Sequence, residues 1–326
     1  MAGTTGTNKH GLQRRLPGAI AREVRQRSKF GCVKCRSAVC QYEHIDPEFS
    51  EATAHEPSGI CLLCGHCHDK VTRGHLSKAT VKECYEAVQA SPNVRRPFDE
   101  FDLGQELTVV LGSCIFHRPR TLLEIDGKTA LAIGPPEEGA AFPALSGSFA
   151  DNSGNELLRI DRNIWSGSST AWDVEVQGPT ITIRPSPRVV GLRLRVDPPD
   201  KISVEKLDMR VGQCHLLLDA DSLEVGRITP EAEFYVGIER MECHGVDVDI
   251  QVDTAAEPSL NPGDISIRGG DGISVAGTGI RLGVGNGAMW LKGLHLEHAT
   301  KVNTSHFWWP FEEDSIAYHW VESSRL

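Results

Sequence analysis

FGCVKCRSAVCQYEHIDPEFSEATAHEPSGICLLCGHCHDKVTRGHLS, residues 30–77, decides the reading of this 326-residue chain. It holds six of the ten cysteines and five of the thirteen histidines, a concentration that points to metal chemistry rather than to scattered packing residues. Cys32/Cys35 and Cys64/Cys67 form two C-x-x-C pairs separated by 28 residues. Each pair is a knuckle that presents two thiolates to one ion, and four thiolates complete the tetrahedral shell of Zn²⁺. Such a zinc keeps no open position for water, so it is structural, and any catalysis must come from other side chains. Cys40 and Cys61 belong to no second well-spaced pair and read as packing thiols.

Outward from this segment the helical signals are short. Residues 1–16 are polar, basic and poor in apolar side chains, which predicts a disordered arm. Pro17 can open a helix in which Ile20 and Val24 recur at helical spacing beside an arginine face of Arg22, Arg25 and Arg27. The run TVKE from Thr80 reads as a capping box, and Val81, Tyr85 and Val88 share one face of a helix ending near Gln89. A head domain over residues 17–90 follows. Residues 91–104, with two prolines, a basic pair and an acidic run, read as a linker.

Past the linker the hydrophobic period changes to two. Leu192, Leu194 and Val196 alternate with Arg193 and Arg195, as in a half-buried strand. Asp126-Gly127 separates TLLEI from KTALAI, and Gly178-Pro179 separates two further apolar runs, both hairpin signals. Residues 105–300 therefore read as an all-β domain. A sandwich is the favoured architecture, with a β-solenoid as the alternative because residues 264–287 are Gly-rich. Residues 301–326 form an aromatic tail, in which Phe307, Trp308, Trp309, Phe311, Tyr318 and Trp320 read as cover for a sheet.

Within the decisive stretch, Glu43-His44 lies between the knuckles and His68 follows Cys67 directly. Knuckles that enclose a Glu-His pair and close on Cys-His resemble the HNH endonucleases, over about residues 18–90. The resemblance implies an α+β fold class: a small zinc-stapled ββα-metal head followed by the all-β domain. It also implies that His44 is the general base, that His68 and Glu43 are ligands of a catalytic Mg²⁺ or Mn²⁺, and that a phosphodiester bond is hydrolysed. The sequence departs from the family's pattern where its central asparagine is expected, since that position is Gly59. His55 or Ser58, in the run AHEPSG, are the candidate substitutes. Cys64 to His68 also matches the c-type haem attachment string, but that maturation requires export.

Charge is divided unevenly along the chain. Residues 1–96 carry 15 Lys/Arg against 9 Asp/Glu, net +6, whereas the remainder carries 19 against 35, net −16. A basic head suits a polyanion, so DNA is expected to bind through residues 17–96, with Arg22, Arg25, Arg27, Lys34, Lys70 and Arg73 as candidate phosphate contacts. Arg36 belongs to the same basic group. The acidic β domain is expected to regulate or target the nuclease by binding an unknown ligand or protein. No stretch approaches the ~18 apolar residues of a membrane span, and no apolar run follows the basic N-terminal residues. A cytoplasmic protein with reduced thiols and no membrane partner is thus expected. The rival function is a non-catalytic zinc-finger adaptor that binds nucleic acid.

Overall fold

The head begins with α1 (Gly18–Arg27), whose Ala21, Val24 and Arg25 are buried. Pro17 precedes it, as the fixed φ of proline favours. A hairpin follows, β1 (Cys40–His44) pairing antiparallel with β2 (Ile60–Cys64) in the register Cys40↔Cys64 and His44↔Ile60. Every residue of β2 is buried, and α2 (Gly65–Thr72) starts directly at its end. This β-β-α succession sits on α3 (Lys78–Ala90), whose Val81, Tyr85 and Val88 pack against Val33, Ile45 and Leu63. The cap of α3 differs from the expected one. Ser77 accepts the Thr80 amide at 3.1 Å, so Thr80 lies inside the first turn and TVKE is not the capping box. An earlier hydroxyl with the right spacing took the role.

The computed structural model describes residues 6–228 except 120, 126–127, 135–142 and 221, and beyond them the backbone of six strands between Glu233 and Val302. The Asp126-Gly127 turn and the aromatic positions 307–320 lie outside the described residues. The flanking strands Thr121–Ile125 and Lys128–Gly134 do pair antiparallel. So do Asp173–Gln177 and Thr180–Arg184, joined through Gly178 at a φ of 57° that favours glycine.

Two long strands organise the sheet. Lys201–Val211 takes Leu192–Asp197 along one edge, and along the other takes Thr108–Leu111 in parallel and then Cys214–Leu218 antiparallel. Asp264–Val275 likewise carries Leu294–Val302 in parallel on one edge, and Asp249–Asp253 and Met241–His244 on the other. The β region is therefore one branched hydrogen-bonded network, where the favoured sandwich would have had two separate sheets. Strands long enough to take two neighbours along one edge are the reason. Parallel pairings between segments far apart in the chain are the feature shared with the solenoid alternative.

The segments expected as linker and as arm both make defined contacts with the rest of the chain. Within the expected linker, β3 (Phe98–Glu100) pairs with Ile164–Gly167, and Ala38 donates its amide to the Phe98 carbonyl. Residues 6–16 of the expected disordered arm are ordered: Thr7 bridges Gln13, and Asn8 donates to the Phe49 and Ala52 carbonyls at 2.6 and 2.7 Å. Arm side chains too polar to form a core of their own find fixed backbone acceptors on the head. Among the described residues no helix is long and apolar enough to cross a membrane.

Candidate active site and metal centre

The two knuckles converge as their spacing requires. The Sγ atoms of Cys32, Cys35, Cys64 and Cys67 all lie within 4.8 Å of one another, and Cys35 Sγ is 3.5 Å from Cys64 Sγ. Sulfurs 2.3 Å from a tetrahedral Zn²⁺ stand about 3.8 Å apart, so a metal ion fits the cluster. Local structure supplies the geometry. Cys64 caps α2 by accepting the Cys67 amide on its sulfur, and Arg36, at a φ of 73°, closes the first knuckle by donating its amide to the Cys32 carbonyl. Cys40 and Cys61 stay outside the cluster. Burial pushes both thiols up, which keeps them protonated, and Cys40 donates to the Ser37 carbonyl at 3.0 Å.

Glu43, His44 and His68 meet around a cavity of about 630 Å³, which Lys9, Arg14 and Lys78 also line. Glu43 and His44 end β1, and His68 sits in the first turn of α2, so the β-β-α order brings residues 24 positions apart onto one site. His68 Nε2 and Glu43 Oε2 are 3.0 Å apart. Neighbouring ligands of an octahedral ion at ~2.1 Å have about this separation, so the pair fits two adjacent positions of a divalent cation. Sequence reasoning missed Lys78. Its Nζ lies 3.3 Å from Glu43 Oε1 and donates to the His44 carbonyl at 3.0 Å. As an ordinary lysine in the first turn of a helix, it carried no local signal.

His44 is buried, and its pKa is lowered to about 4, chiefly by burial and then by the neighbouring His55, Lys78 and Arg14. It is a neutral imidazole at physiological pH. Its Nε2 lies 3.2 Å from His55 Nδ1, and the Phe49 ring packs 5.2 Å from its own. His55 is therefore the residue that contacts the histidine. Ser58 is exposed, and Gly59 contributes backbone only, its carbonyl accepting from Ile45 at 2.8 Å. A Cβ at Gly59 would stand 2.1 Å from the Asp46 carbonyl oxygen, so this backbone has no room for an asparagine there.

The basic residues divide into two groups. Arg25 is not a free phosphate contact. Its guanidinium is buried against Asp173 of the β region, with bonds of 2.8 and 2.7 Å, and also donates to the Tyr42 hydroxyl. Arg36 is spent inside the head on the carbonyls of Ser28, Gly31, Lys29 and Arg95. Arg22 stacks over Trp172 at 4.4 Å, and Arg27 donates to the Tyr85 hydroxyl at 3.0 Å. Lys34 and Lys70 are exposed, and exposed Arg73 pairs with Asp69 one turn away on α2. Comparison of the chain with protein-family models, curated proteins and solved structures finds no match.

Proposed function

We propose that the chain is a metal-dependent endonuclease of the HNH type that hydrolyses phosphodiester bonds in DNA. The observation that carries this reading is the convergence of Glu43, His44 and His68 on one cavity, framed by a β-β-α finger with a four-thiolate cluster at its base. The cluster holds a structural Zn²⁺, because four thiolates fill its shell. His44, neutral at pH 7, takes the proton from the attacking water. Glu43 and His68 would hold Mg²⁺ or Mn²⁺, which would supply positive charge to stabilise the developing negative charge of the reaction. Lys78 pairs with the Glu43 carboxylate and aims it, and Lys9 and Arg14 give the cavity rim the positive charge a phosphate needs. Lys34, Lys70 and Arg73 remain as outer phosphate contacts, while the acidic β region regulates or targets the enzyme, in the cytoplasm.

A specific observation favours the adaptor reading: Glu43 is already ion-paired with Lys78 and hydrogen-bonded to His68, a network satisfied without a second cation. Nicking of supercoiled plasmid separates the two. The nuclease reading expects cleavage dependent on Mg²⁺ or Mn²⁺, falling about 10²-fold or more in His44→Ala while DNA affinity stays within about threefold. Equal rates for His44→Ala and wild type, or plasmid that is bound but never nicked with either ion, would leave the adaptor reading in its place.

A further inference from the structure

His44 is held by a loop, and that loop is held by the N-terminal arm. The loop after β1 supplies both groups that touch the His44 ring, Phe49 at 5.2 Å between centroids and His55 Nδ1 at 3.2 Å from Nε2. The arm grips the same loop from outside. Asn8 Nδ2 donates to the Phe49 and Ala52 carbonyls, Arg14 stacks on the Phe49 ring at 4.7 Å, and the Gln13 carbonyl lies 2.9 Å from His55 Nε2. Asn8 in turn folds the arm, its Oδ1 accepting from the His10 and Leu12 amides.

The hydrogen-bonding capacities around His55 assign the protons. A carbonyl oxygen only accepts, so His55 Nε2 must carry the hydrogen that faces Gln13. In a neutral imidazole the other nitrogen is then an acceptor, and His55 Nδ1 presents its lone pair to His44. His44 Nε2 must therefore be the donor of the 3.2 Å bond. A His44 imidazole whose one hydrogen is on Nε2 keeps the lone pair on Nδ1, which makes no hydrogen bond among the described residues. With His55 neutral, the opposite arrangement, His44 protonated on Nδ1, would set two lone pairs against each other, either between the two rings or at the Gln13 carbonyl.

We propose that His55 is a positioning residue which, anchored by the Gln13 carbonyl, fixes His44 as its Nε2–H tautomer and leaves Nδ1 as the proton-accepting atom. The arm thereby becomes part of the machinery of the finger. This rests on the nuclease reading for its catalytic consequence alone, since the tautomer is a property of the folded chain. Alanine at 55 removes the acceptor for His44 Nε2. Glutamine can replace it, its carboxamide oxygen accepting from His44 and its nitrogen donating to Gln13.

The test is long-range ¹H–¹⁵N correlation of the histidine rings in the ¹⁵N-labelled, zinc-loaded full chain at one fixed pH, with His44 assigned by the loss of its signals in His44→Gln. Wild type is expected to show His44 as a single Nε2–H tautomer. His55→Ala should give a mixture or the Nδ1–H form, His55→Gln should restore the wild-type pattern, and Asn8→Ala, which frees the arm, should give a partial mixture. His55→Leu, closer in volume, stands in should His55→Ala lose its zinc. An unchanged His44 tautomer in His55→Ala or His55→Leu overturns the proposal, and an unchanged one in Asn8→Ala removes the arm from it. Plasmid nicking adds the kinetic consequence: in His55→Ala kcat is expected to fall about 10- to 100-fold with KM within about twofold, and His55→Gln to recover most of the loss. A shifted tautomer with no nicking by any variant, wild type included, refutes the nuclease reading and leaves the positioning role of His55 standing.

Discussion

Replacing Asp173 with alanine tests whether α1 is held on the sheet by charge. Asp173 is 2% exposed and accepts two bonds from Arg25, itself 9% exposed at the side chain, in a bidentate pair at 2.8 and 2.7 Å. Removing one partner of a buried pair typically costs 3–5 kcal/mol, because the remaining charge is left out of water without compensation. Here Glu175 stays 3.3 Å from Arg25 Nη1, and the Tyr42 hydroxyl still accepts at 2.8 Å, which places Asp173→Ala at the low end, about 3 kcal/mol. At 1.4 kcal/mol per decade this corresponds to roughly 10²-fold faster exchange of the α1 amides when exchange proceeds by local opening. Arg25→Met should cost less, since Asp173 keeps Arg184 at 3.3 Å. The double variant Arg25→Met/Asp173→Leu should lie close to wild type, because matched apolar groups replace a buried pair with little loss. Native-state hydrogen exchange read by mass spectrometry on the peptide covering α1 gives all three values. Less than a threefold change in Asp173→Ala, or a double variant as loose as the sum of the singles, would refute the argument that the pair locks α1.

Purified chain is expected to contain one zinc, and Cys35→Ser/Cys64→Ser to contain none and to lose the head fold, as elemental analysis and exchange of the β2 amides would show; an intact head without metal would contradict it. Gly59→Ala is expected to destabilise the head by about 1–3 kcal/mol, because the added carbon meets the Asp46 carbonyl oxygen at 2.1 Å, and Gly59→Asn to behave worse rather than to improve nicking; denaturant midpoints within error of wild type would overturn the steric account. Burial of neutral His44 makes the head pH-sensitive. Its folded pKa of about 4 lies below the unfolded 6.5, so the unfolded chain binds more protons between these values, and stability falls as the pH drops from 6.5 toward 4 by at most about 3 kcal/mol. Thermal melts of wild type and His44→Gln across that range should converge at the acid end; parallel curves would remove His44 as the cause.

The sequence made the metal cluster and the chemical trio legible because both are written in local spacing. Two C-x-x-C knuckles and a Glu-His pair need no knowledge of the rest of the chain, and the structure brings Cys32, Cys35, Cys64 and Cys67 together, and Glu43, His44 and His68 beside them. Alternation in Leu192–Asp197 and the apolar face of α3 were equally local signals. What was hidden depends on pairing at a distance. Nothing in NKHGLQ announces that Asn8 finds two carbonyls more than 40 residues away, so composition alone read the arm as disordered. The choice of His55 over Ser58 and Gly59 was similarly closed to spacing, because it turns on which side chain the loop folds inward. The branching of the sheet could not be read either. It depends on which edge of Lys201–Val211 is reached by Thr108–Leu111, and a hydrophobic period shows a strand's faces but not its neighbours.

Charge counting needs the same correction, and it changes what the +6 and −16 halves mean. A summed charge describes a field only if the charges face solvent, and here several of the head's cations face the β region instead. Arg25 enters Asp173, Arg96 pairs with Glu156, and Arg22 is stacked on Trp172, while Arg36 is enclosed by head carbonyls such as those of Ser28, Lys29 and Gly31. Two head residues, Phe30 and Ala38, also join the apolar cluster that contains Leu103 and Ile183. Part of the charge asymmetry is thus complementarity between the halves, spent on docking one to the other. The cations beside the site, Lys9 and Arg14 from the arm and Lys78 from α3, are ones that local sequence did not single out, and they line the same cavity as Glu43, His44 and His68. On the nuclease reading, a polyanion approaching the finger would meet those groups, so recognition would depend on the arm and on the start of α3 more than on Arg22 and Arg25 of α1, which face the β region.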